Sequence, residues 1–141
     1  MHHKRSIKLI IQSKIDDISL LSCAAKALCN TVVADTVLLY NMELCLVEAV
    51  ANVINHAYML NPDHFIEILV TLHKKEIIFQ IADTGASATL PSLPPPLNPD
   101  EALSLPESGR GLFLIRHIMD DVSYVQDNGK NIFTMKKTLS V

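Results

Sequence analysis

Apolar and polar positions alternate along the chain with two different periods, and the switches between them mark out the elements. "SIKLIIQS" (6–13) is a β-branched run that predicts a strand. "DDISLLSCAAKALCN" (16–30) opens on two aspartates and puts Ile18, Leu21, Ala25 and Leu28 on one face, which predicts an amphipathic helix. Asp35 is placed to cap a second, longer helix reaching about Met59, and "NPD" (61–63) stops it. "HFIEILVTLHKKEIIFQIAD" (64–83) predicts two strands joined at His73–Lys75. Residues 86–108 hold six of the seven prolines, a density no long helix or strand survives. "GRGLFLIRHIMDD" (109–121) predicts a glycine-flanked turn and then a helix. "VSYVQDNGKNIFTMKKTL" (122–139) predicts a last hairpin turning at Asp127–Gly129. The expected fold is an α+β two-layer sandwich: a mixed, mostly antiparallel sheet covered on one face by helices, in one domain over residues 1–141.

Composition narrows the function classes. With 49% hydrophobic residues in 141, the chain can bury a real core. A formal charge of −3 gives no basic footprint for nucleic acid. No run of about 18 wholly apolar residues occurs, so no membrane span is expected. The N-terminal stretch shows no small-residue cleavage site, so the expected location is cytoplasmic. Cys23, Cys29 and Cys45 are odd in number and lack close ligand spacing; they read as small hydrophobes in a reducing compartment.

Three stretches carry candidate chemistry. Around "VEAVANVINHAY" (47–58), Val50, Val53 and Ala57, with Leu46 just before it, fall on one side of a helix. Glu48, Asn52 and Asn55 fall nearly opposite, with His56 at the edge. Such a stripe is either a solvated face or a site. Two asparagines are poor helix formers, an Asn carbonyl oxygen can ligate Mg²⁺, and a nearby Glu can take a proton from an attacking hydroxyl. "IADTGA" (81–86) sets Asp83 at a strand end, where its carboxylate can accept from an exocyclic amine such as adenine's, and Gly85 lets a planar ring approach; it also reads as an ordinary strand-to-turn signal. "SGRGLFLI" (108–115) sets Gly109 and Gly111 at a helix start, where free N–H groups favour phosphate, or where they simply shape a turn.

Taken in this order, the three stretches resemble the anti-sigma factor serine kinases, small bacterial switch kinases with the GHKL (Bergerat-type) ATPase fold. "EAVANVINHAY" resembles the family's Asn box, "DTGA" its first Gly box, "ESGRGLFLIRHIMDDVSY" its second Gly box and following helix, and "FTMKKTL" its last strand. The resemblance implies ATP or ADP with Mg²⁺ as cofactors. Asn52 would hold the Mg²⁺, Glu48 would be the catalytic base and Asp83 would read the adenine amine. Gly85 would make room for the ring, and Gly109, Arg110 and Gly111 would close over the phosphates. Asn55 and Leu112 would complete the nucleotide contacts. The proline-rich stretch, about 86–108, would be the ATP lid.

The implied activity is that of an ATP-dependent serine/threonine protein kinase acting on a STAS-type anti-sigma factor antagonist. A sigma factor is the usual second partner, and family members often dimerise. A nucleotide-binding module that sequesters a partner without catalysis is the alternative. It is motivated by three departures: Ser87 stands where the first Gly box commonly has its second glycine, and Lys130 and Asn131 stand where a Gly-Thr usually touches phosphate. His64, His73 and His117 read as unpaired surface residues rather than ligands.

Overall fold

The computed structural model describes residues 3–86 and 107–140, and the side chains of 107–110 lie outside that description. The expected lid falls almost wholly outside the described residues, as does Ser87. Five strands, β1 (Arg5–Gln12), β2 (Phe65–His73), β3 (Glu76–Asp83), β4 (Asp121–Asp127) and β5 (Lys130–Thr138), form one sheet in the order β1-β2-β3-β5-β4. Among the described residues three α-helices, α1 (Ile18–Cys29), α2 (Thr36–Asn52) and α3 (Glu107–Ile118), complete the expected two-layer α+β sandwich. Every described strand pair is antiparallel, so the sheet is not mixed.

Side-chain alternation decides what faces the helices. Ile66, Ile68, Val70 and Leu72 of β2 and Ile77, Phe79 and Ile81 of β3 are buried under the helical layer, with Phe133 and Met135 of β5 beside them. Each large side chain so buried contributes roughly 1.5–3 kcal/mol. The period of two continues past Ile81 to Asp83 on the same face, and the register sets Asn131 directly opposite Asp83. Two polar residues are thereby carried into the end of an apolar core, at 6% and 5% exposure.

Helix α2 begins where the sequence places its cap: Asp35 Oδ1 accepts from the N–H groups of Val37 and Leu38 at 2.9 and 3.3 Å. Its far end departs from a regular helix. Val53–Ala57 form a π-helical turn, and the helix stops before Met59. Met59 and Leu60 take left-handed backbone angles (φ 50° and 64°), and the Leu60 N–H reaches back to Ile54 O at 2.8 Å, closing the helix end. The first helix begins at Ile18, after a 3₁₀ turn over Ile15–Asp17, and Asp17 makes no side-chain cap bond.

Among the described residues, Thr36–Ala57 is the one helical stretch long and apolar enough to cross a membrane. Its apolar side is spent on the core: Cys45, Leu46 and Val50 are fully buried. Glu43 ties it to α1, accepting from Ser22 Oγ at 2.6 Å. Its second oxygen is buried with no hydrogen-bond partner among the described residues, and Lys26 Nζ balances its charge from 3.7 Å.

Candidate nucleotide-binding site

The end of β3 is held in place by a small buried network. Asp83 Oδ1 accepts from the Gly85 N–H at 2.9 Å and from Asn131 Nδ2 at 2.8 Å. Asn131 Nδ2 also donates to Gly85 O at 3.1 Å. Asn131, which stands where the family's Gly-Thr usually touches phosphate, braces Asp83, because the β3–β5 register pairs the two residues. Lys130, one residue earlier, points to the other face and lies 3.9 Å from Glu67.

This turn is locked to the end of the α2 helix. Tyr58, 5% exposed, accepts from the Thr84 N–H at 2.9 Å and reaches Phe65 O at 3.2 Å through its hydroxyl. The Ala86 N–H donates to Ala57 O at 3.0 Å. A Cβ built on Gly85 would lie 2.5 Å from Ala57 O. The missing side chain of Gly85 makes room for the helix end, a contact the sequence reading, which had Gly85 admit a planar ring, did not foresee; any larger residue would push the two elements apart. His64 stacks on Tyr58 with ring centroids 4.4 Å apart, His73 Nδ1 accepts from the Lys75 N–H at 3.1 Å, and His117 stacks on Phe113.

Glu48 and Asn52, one helical turn apart, are both half-buried on α2. The glycines expected to form a turn before the third helix lie inside it: α3 starts at Glu107, so Gly109, Arg110 and Gly111 belong to its opening turns. A Cβ on Gly111 would stand 2.6 Å from Glu48 Oε2. The carboxylate is thus seated against the N-terminal part of α3, where the helix dipole favours negative charge. Leu112, expected among the nucleotide contacts, packs its side chain against the core. Asn55 is exposed with His56 on the π turn. The π turn has more residues per turn than an α-helix, so the 100° spacing on which the polar stripe was drawn does not hold across it.

The donor set suits a magnesium-nucleotide. Among the described residues no group of three or more His, Cys, Asp or Glu could cage a metal. A neutral Asn oxygen beside a carboxylate fits a hard cation that keeps water and takes its other ligands from phosphate. A recess of about 290 Å³ adjoins Asp83 and Thr84, but Phe65, Glu67, Ala82 and Lys130 line it from the outer side of the sheet, away from Glu48. Tyr58 is the site residue that sequence reasoning passed over. It stands in the same "NHAY" run, and only the folded chain shows its hydroxyl against Thr84.

Residues 11–137 match the family of histidine kinase-like ATPase domains. The chain is 32% identical over 100 residues to the serine-protein kinase RsbW of Bacillus mycoides (strain KBAB4), and 30% identical over the same length to RsbW of Bacillus thuringiensis (strain Al Hakam). In each case 68% of this chain and 62% of the relative are covered, so the match spans less than two thirds of the relatives' length. Its fold is similar to that of the RsbU and RsbW domains of a Mycobacterium tuberculosis protein (TM-score 0.65, 11% identity, 94% of this chain and 32% of that one). It is also similar to the SiaB–SiaC complex of Pseudomonas aeruginosa (TM-score 0.56, 11% identity, 93% and 89%). The family match covers most of the chain: the chain belongs to the histidine kinase-like ATPase family and is similar to its RsbW-type serine-protein kinases.

Proposed function

We propose that the protein is an ATP-dependent serine/threonine kinase that phosphorylates a STAS-type anti-sigma antagonist, with Glu48 as the base and Asn52 as the Mg²⁺ ligand. The observation that carries this reading is the contact between Gly111 and Glu48, which seats a carboxylate at the opening of the helix that follows the second glycine-rich stretch. Bound Mg-ATP would supply the transferable phosphoryl group and its charge neutralisation. The chain's own residues do the rest. Asp83 anchors the base, Asn52 offers an oxygen to the cation, and the backbone N–H groups at the start of α3 face phosphate. Glu48, one turn from Asn52, would accept the proton of an attacking serine hydroxyl. The resemblance to RsbW supports the substrate class, a cytoplasmic location, a sigma factor as second partner and a homodimeric assembly; residues 1–141 would act as one catalytic domain whose lid is the proline-rich segment.

Incubation with Mg-ATP and a STAS-domain protein carrying a serine acceptor tests it. Transfer of the γ-phosphoryl group to that serine is expected, with Glu48→Gln lowering the rate by about 10²-fold while ADP still binds. Nucleotide binding with no transfer to any such acceptor would favour the partner-sequestering alternative, in which the site gates association only.

A further inference from the structure

The network around Asp83 bears on which base the site accepts. We infer that Asn131 is a specificity-determining residue: by saturating Asp83 Oδ1 it leaves the carboxylate a single oxygen for the ligand, which selects adenine against guanine. The inference rests on the proposed role of Asp83 as the base reader.

The geometry fixes the orientation of Asn131. Its side-chain nitrogen lies 2.8 Å from Asp83 Oδ1 and 3.1 Å from Gly85 O, and both of those atoms are acceptors. Only the NH₂ end can satisfy two acceptors at once, so the amide cannot be reversed. Oδ1 also takes the Gly85 N–H at 2.9 Å. An sp² carboxylate oxygen has two lone pairs, and two protein donors fill them. Oδ2 has no hydrogen-bond partner among the described residues. Asp83 is 6% exposed and Asn131 5%, so water competes poorly for the filled oxygen.

Adenine and guanine ask different things of such a group. The amine edge of adenine presents one donor, the 6-amino group, next to an acceptor. Guanine presents two adjacent donors, N1–H and the 2-amino group, spaced to meet both oxygens of a carboxylate. With Oδ1 filled, guanine would bury one of those donors unpaired, whereas adenine loses nothing. A residue without a side-chain donor at 131 would reopen one lone pair on Oδ1 and let the carboxylate accept both guanine donors. Asn131 acts through Asp83 and is not itself required to touch the nucleotide.

The test is the ratio of ADP to GDP dissociation constants, by calorimetry in Mg²⁺ on the full chain. The parent is expected to prefer ADP, and Asn131→Ala is expected to shrink that preference by roughly tenfold or more, chiefly through tighter GDP binding. A merely structural role would weaken both nucleotides together and leave the ratio alone. Asn131→Val, which lacks the donor but suits a strand, carries the same test should the alanine variant not fold. An unchanged ratio in a folded variant overturns the inference while leaving the nucleotide site standing. ADP binding that survives Asp83→Asn undiminished overturns the reading of Asp83 itself, and the inference with it.

Discussion

Asp83→Asn separates the structural work of this side chain from its proposed recognition of the base. The carboxamide oxygen can occupy the place of Oδ1 and keep accepting from the Gly85 N–H and Asn131 Nδ2, so the turn stays closed. Those two bonds lose their ionic partner, and the fold should weaken by about 1–2 kcal/mol, the difference between charged and neutral hydrogen bonds. For a chain of this length that is a fall of roughly 3–8 °C in Tm. The other end of the group changes more. Where Oδ2 offered an acceptor, an NH₂ donor now stands, and it meets the donor of the adenine amine. Loss of a charge-assisted bond worth about 1.5–3 kcal/mol corresponds to roughly 10- to 150-fold weaker ADP binding. Calorimetric titration with Mg-ADP, alongside thermal melting by circular dichroism, reads both numbers. A folded variant that binds ADP within a factor of two of the parent would refute the assignment of Asp83. A variant that loses binding only because it has unfolded will show that in the melt.

Further outcomes follow from the packing. Gly111→Ala places a methyl 2.6 Å from Glu48 Oε2, so the carboxylate must shift; phosphoryl transfer, measured in single turnover, should fall by about tenfold or more, against a smaller change in ADP affinity. Tyr58→Phe removes the acceptor of the Thr84 N–H and should cost about 1–2 kcal/mol in urea denaturation, with ADP affinity falling as the Asp83 turn loosens. Burial pushes the Cys29 thiol up to about 12, and burial followed by the nearby Glu48 carboxylate does the same for Cys45. Folded thiols that stay protonated while the unfolded ones ionise near pH 8.5 contribute stability present below that pH and lost as pH climbs toward 12. The urea midpoint should therefore fall between pH 8 and 10, by at most roughly 1.4 kcal/mol per pH unit for each thiol. Alkylation at pH 8 should meanwhile modify exposed Cys23 alone in the folded protein.

Much of the architecture was legible in the chain. The alternation in 64–83, the Asp35 cap and the proline cluster are local signals, and local sterics and burial enforce them whatever the rest does. The three polar stretches also stood out, because carboxylates and amides inside apolar runs cost energy unless they serve something. What a one-dimensional pattern does not carry is register and contact between distant segments. The β3–β5 pairing alone decided that Asn131 braces Asp83, 48 residues away. The π turn at Val53–Ala57 was equally invisible, and it breaks the 100° rule on which the polar stripe was drawn. Both glycines looked like sites for a ligand; tertiary packing gave the space beside Gly85 to the Ala57 carbonyl and the space beside Gly111 to Glu48. A glycine in sequence says that something comes close to the backbone, and only the folded chain says what.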